Sequence, residues 1–128
     1  MKYTTLKLFT LFCIVLLCLI MCSSVKAQDN TKFCNEDICV VQFNAGWNVV
    51  NGIYWLSKLT DCGIATIIID ENKITQAQQK DYGIIVVPTI IVFNGEEVKR
   101  FQADLSFKIT ATREDVQEVI DEIIMEGF

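Results

Sequence analysis

Histidine is absent from all 128 residues, and proline occurs once, at Pro88. Without histidine the chain lacks the usual general base near neutral pH and the commonest metal ligand. Any chemistry must therefore run on cysteine, carboxylate or lysine. Positive charge is also scarce: 11 basic residues face 16 acidic ones. Three of the basic residues, Lys2, Lys7 and Lys26, lie in the first 27 positions; beyond them the balance is −8. No basic cluster is left, which excludes a nucleic-acid partner of the usual electrostatic kind. The acidic outer side of the closing segment 114–126 reads as a solvated helix face.

The long apolar run sits at the start. Residues 8–22 are apolar but for Thr10, with Lys2 and Lys7 ahead of them and Val25-Lys26-Ala27 behind. A basic start, a short apolar stretch and a small-residue cleavage site are the order of a secretory signal peptide. A bilayer span takes about 20 apolar residues, and 15 is short for a permanent anchor. Residues 1–27 are therefore expected to be a signal peptide, with an uncleaved membrane anchor as the alternative. A lipid anchor on Cys22 is disfavoured by the bulky Met21 before it. Cleavage after Ala27 leaves 101 residues, enough for one compact domain, exported to the periplasm or secreted. Membrane contact is expected only through an uncleaved leader.

Three cysteines remain beyond the leader: Cys34, Cys39 and Cys62. In an oxidising compartment an odd count leaves one thiol after a single bridge. Asn35-Glu36-Asp37 is turn-prone and brings Cys34 to Cys39, so these two are expected to pair and Cys62 to stay free. A zinc site would need a further ligand set, and neither metal nor cofactor is expected. Residues 28–37 form an N-terminal segment or hairpin, and 38–126 the domain proper.

Within that domain, 38–43 (ICVVQF) reads as a buried strand. Residues 48–60 carry Val49, Ile53, Leu56 and Leu59 at helical spacing, with Gly63 as the stop. Residues 64–70 (IATIIID) read as a second strand, apolar on both faces and so buried on both. Residues 73–82 predict a polar helix closed by Gly83, and 89–93 a third strand. Asn94-Gly95 is a strong hairpin signal, with 98–102 returning as the fourth strand. Thr112 to Asp115 has the form of a capping box, opening a helix whose inner face carries Val116, Val119, Ile120 and Ile123. The expected fold is α/β, a central mixed four-stranded sheet flanked by helices in the order β-α-β-α-β-β-α.

Three stretches within that order resemble the thioredoxin family, over residues 38–124. Val41-Gln-Phe-Asn-Ala-Gly-Trp47 looks like a core strand running into the family's active-site loop. Tyr82-Gly83-Ile84 with Val87-Pro88-Thr89 looks like its cis-proline loop, and Asn94-Gly95-Glu96-Glu97-Val98 like its terminal hairpin. The resemblance implies a cis bond at Val87-Pro88. It also implies a Trp-Cys-x-x-Cys sequence, in which a low-pKa thiol at a helix start attacks disulfides. Here that stretch is Trp47-Asn48-Val49-Val50-Asn51, and the family's buried acid falls at Gln42. An amide neither ionises to a nucleophile nor forms a disulfide, so no catalytic residue is expected at Asn48, Asn51 or Gln42. The plainer readings are an N-cap for Asn48, a solvent-facing Asn51 and a satisfied core amide for Gln42. Tyr54 and Trp55 read as packing residues, and Asp70 and Glu71 as turn carboxylates.

With the thiols gone, the resemblance leaves a groove between Trp47 and the Val87-Pro88-Thr89 loop, where an extended peptide could pair by strand addition. The expected function is an exported, redox-inactive module that binds a protein or peptide there, as a chaperone-like or assembly subunit. One alternative is a thiol-disulfide oxidoreductase working through Cys34 and Cys39. Another is a purely structural subunit of an envelope or particle.

Overall fold

A computed structural model describes residues 2–21, 33–70 and 76–128. Helix α1 (Lys2–Met21) covers the apolar leader. Among the described residues no helix is long and apolar enough to cross a membrane. The cleavage site and Cys22 lie outside the described residues, as does Glu71.

Four strands form one sheet in the order β2-β1-β3-β4: β1 (Ile38–Asn44), β2 (Gly63–Ile68), β3 (Thr89–Asn94) and β4 (Glu96–Gln102). β1 runs parallel to β2 and antiparallel to β3, and β3 pairs antiparallel with β4. The sheet is mixed, as its sequence predicts. Residues on β1 and β3 alternate between two cores. Cys39, Val41, Phe43, Ile91 and Phe93 face one side; Val40, Ile90 and Val92 face the other. The first core is closed by aromatic rings, Phe33 and Tyr82 lying 5.7–6.5 Å from Phe43 and Phe93 and 5.5 Å from each other. The second is closed by Leu56, Leu59 and the buried Val116 and Ile120 of α3 (Arg113–Glu126). The expected capping box opens α3: Thr112 Oγ1 accepts from the Asp115 N–H, and Asp115 Oδ2 from the Thr112 N–H.

Three elements depart from the sequence expectation. First, 48–60 is not one helix. It is a pair of 3-10 turns, Gly46–Asn51 and Tyr54–Lys58, separated by extended Gly52 and Ile53. In an α-helix the Ile53 N–H would reach the Val49 carbonyl. Here the Gly52 N–H takes that carbonyl at 2.9 Å, and the buried Gln42 Oε1 accepts from Ile53 at 2.7 Å. Val49 and Tyr54 are consequently exposed, while Trp55 packs on the second core. Second, β2 lies at the sheet edge with Ile64 and Thr66 exposed, because a strand with one neighbour keeps only part of its cover. Third, Gly63 opens β2 instead of ending a helix; the reversal before it is made by Asp61 at φ 62°. A Cβ on Gly63 would collide with the Glu36 carboxylate and come within 2.8 Å of Cys34 Cβ. Glycine there lets the disulfide loop lie against the sheet.

The described part of the polar helix is α2 (Gln76–Asp81), and Gly83 at φ 61° ends it as expected. Arg100 of β4 donates to the Tyr82 and Gly83 carbonyls beyond that end and pairs with Glu97. This ties the loop before β3 to the sheet.

Candidate functional site

The 44–51 segment leaves the C-terminal end of β1 and enters the first 3-10 turn with Ala45 as N-cap. Asn48 is thus two residues inside the turn, and the N-cap reading is corrected. It is also 2% exposed. Its Nδ2 lies 3.1 Å from Asn44 Oδ1, 3.3 Å from the Phe107 carbonyl and 3.4 Å from the Val87 carbonyl. Two N–H bonds are shared among three acceptors. Its Oδ1 accepts from Asn51 Nδ2 at 2.8 Å, so Asn51 is half-buried and bonded, not simply facing solvent. Asn44 completes the network: its Nδ2 donates to the Asn48 carbonyl, and its Oδ1 accepts from the Ala45 N–H. Gln42 is the satisfied core amide expected, donating to Thr66 Oγ1 at 3.4 Å while it accepts from Ile53.

Opposite this turn lies the loop before β3. The Val87-Pro88 peptide bond is cis. Thr89 is fully buried and donates through Oγ1 to the Val86 carbonyl at 2.6 Å, and Pro88 is buried beside it. Of the expected peptide-binding set Trp47, Val87, Pro88 and Thr89, the three loop residues Val87, Pro88 and Thr89 offer no free polar side chain. What the loop presents is backbone. The Val87 carbonyl is held by Asn48, while among the described residues nothing accepts from the Val87 N–H. Donor and acceptor of Val87 are therefore not both open.

Between turn and loop is a cleft of about 330 Å³. Trp47, 65% exposed, and Phe107 form one wall, their rings edge to face with centroids 5.0 Å apart. Ile84, Ile85, Val86 and Val87 form the other. Asp70 closes one end, with Oδ1 accepting from the Gly46 N–H at 2.8 Å. The turn carboxylate thus holds the active-site-like loop in place. Trp47 and Val87 are brought together as the sequence predicts. Asn44 and Phe107 went unrecognised there. Asn44 is a third amide within FNAGWNVVN, a visible signal, whereas Phe107 at φ 60° comes from a loop with no periodicity to announce it.

The cysteines lie elsewhere. Cys34 and Cys39 are bridged, Cα atoms 5.7 Å apart, as expected. They sit at the start of β1, and the cleft at its end, roughly 20 Å away at about 3.3 Å per residue. Cys62 is a free thiol, half-buried on the second core. Burial, with Asp61 and Glu36 adding negative charge, pushes it from 9.0 up to about 11. It is no nucleophile at neutral pH.

No family model matches the chain, and no curated protein does. Solved structures do. A mutant thioredoxin from Halobacterium salinarum NRC-1 is 26% identical, over 73% of this chain and 80% of its own, with a TM-score of 0.52. The fold is thioredoxin-like. Thioredoxin-2 of a malaria parasite, a component of that parasite's protein secretion machinery, has the same fold at 16% identity. It covers 66% of this chain and 82% of its own, at a TM-score of 0.50. Among the described residues of this thioredoxin-like chain, the one disulfide spans five positions and lies outside the Trp47 turn.

Proposed function

We propose that this thioredoxin-like chain is an exported, redox-inactive binding module that holds an extended protein segment in the cleft between Trp47 and Val87. One observation carries the reading. Asn48 and Asn51 occupy the two positions where thiol exchange would need cysteines; the Asn51 amide donates to that of Asn48, which donates in turn to the Val87 carbonyl. The turn is fastened by hydrogen bonds where a disulfide would otherwise close it. The Val87 N–H, which has no acceptor among the described residues, and the exposed Trp47 and Ile85 remain for a ligand, whose backbone can pair with the loop as an added strand. The basic, then apolar leader supports export.

A second reading has the Cys34–Cys39 disulfide in its favour: an oxidoreductase acting at the other end of β1. Against it, Cys39 is 3% exposed, and neither cysteine lies at a helix N-terminus that would stabilise a thiolate. Disulfide-reductase turnover by the full chain decides between them. The expected result is no turnover above blank, with activity appearing only when Asn48→Cys and Asn51→Cys are introduced together. Native turnover that disappears in Cys34→Ser would establish the second reading.

A further inference from the structure

The lining of the cleft is uneven in charge. Among its described residues Asp70 is the single charged group, placed at one end of walls built from Trp47, Phe107, Ile85 and Val87. Among the described residues only one of its oxygens is used inside the protein. Oδ1 accepts from the Gly46 N–H, while among the described residues nothing donates to Oδ2. The carboxylate is fixed by the Gly46 N–H, and Asp70 is an exposed residue. No cation among the described lining residues neutralises it.

From this we infer that the cleft selects an extended peptide carrying a large apolar side chain with a lysine or arginine beside it. The apolar side chain sits between Trp47 and Ile85, which are 65% and 85% exposed and whose burial is the main attraction. The ligand's basic group reaches Asp70 Oδ2, and its backbone accepts from the Val87 N–H. The −8 balance of the chain beyond its leader acts in the same direction, drawing cationic segments and repelling acidic ones. An acidic residue at that place would face Asp70 with no counter-ion among the described lining residues. This specificity rests on the cleft being a peptide site, as proposed above.

Three acetylated synthetic peptides test it, sharing a Ser-Val-Leu-Val-Ser core and flanked by lysine, glutamine or glutamate. Binding to the full chain is followed by Trp47 fluorescence, with Trp47→Phe as the control for the probe. The lysine peptide is expected to bind about two- to five-fold more tightly than the glutamine peptide, the range an exposed ion pair supports. The glutamate peptide should be the weakest, and the preference should fade in high salt. Asp70→Asn keeps the acceptor for Gly46 and removes only the charge, so it should bring the three affinities closer together without loss of stability, leaving only the weak, salt-sensitive preference that the net charge of the chain supplies. Equal binding of all three by the native chain, or a preference for glutamate, overturns the charge inference and leaves the peptide site standing. Binding of none overturns the peptide site itself.

Discussion

Asn48 shows how much one side chain can do when the chemistry usual at its position is missing. Its amide joins the turn to the cis-proline loop and to the Phe107 loop, three segments far apart in sequence. Truncation to alanine leaves the Asn44 Oδ1 and two carbonyls short of a donor in a site that water does not reach freely. Each such loss costs about 1–3 kcal/mol, so Asn48→Ala should lower stability by roughly 2–4 kcal/mol, allowing for partial relaxation. Asn51→Ala, which removes one bond from a half-buried group, should cost about 1 kcal/mol. Urea denaturation measures both, and equal small effects would mean the network is not what fastens the turn. Cys62 offers a second check at this scale. Its folded pKa, about 11, lies above the 9.0 of the unfolded chain, so unfolding releases the proton more readily. The stability it contributes is complete below pH 9 and is lost as pH rises towards 11. The difference in stability between native and Cys62→Ala chains should be flat to pH 9 and then shrink or change sign. Alkylation of Cys62 should be slow at pH 8. A thiol that reacts fully there would contradict its burial.

The elements differ in how readily the sequence discloses them. β1 and β3 alternate between two apolar cores, and α3 has a cap at Thr112 and a stripe at Val116 and Ile120; each is fixed by its own residues. The 48–60 segment is the opposite case. Its spacing of Val49, Ile53 and Leu56 suits a helix, but the structure is decided by Gln42, a residue on another element. By accepting from the Ile53 N–H, Gln42 takes the donor on which the next helical turn depends. No reading of local periodicity contains that bond. β2 fails for a related reason: its composition suits full burial, while its exposure is set by its place at the edge. The cleft was half legible. Trp47 and Val87 are visible through motif resemblance, but Phe107 enters from a loop, and Thr89 spends its hydroxyl on Val86. Gln42→Met, close in shape but without the acceptor, tests the element-scale argument. It should cost about 1–3 kcal/mol and speed amide exchange at Ile53. Unchanged exchange would remove Gln42 as the cause of the break.

At the scale of the whole molecule, β1 separates two fasteners with different work. At its start the Cys34–Cys39 bridge pins the 33–37 segment, whose Phe33 ring covers the first core; at its end the amide network shapes the cleft. Closing a loop of about six residues contributes roughly 2 kcal/mol in the chain-entropy model, a fair part of the 5–15 kcal/mol a small domain has in total. The bridge is linked to the cleft only through the sheet, whose core residues Val40, Val41 and Phe43 are fully buried and held on both sides. Opening the bridge removes no ladder hydrogen bond from β1, whose pairing with β2 and β3 holds it in register up to the cleft. Reduction should therefore lower the unfolding midpoint while the folded chain keeps its Trp47 fluorescence and its affinity for the lysine-flanked peptide. Cys34→Ser should match the reduced native chain in both respects, since each opens the same loop. If reduction instead abolished peptide binding well below the unfolding midpoint, the two ends would be coupled. The disulfide would then be a redox control on the cleft rather than a staple, and Phe33 and Tyr82, which pack together between bridge and cis-proline loop, would be the first place to look for the coupling.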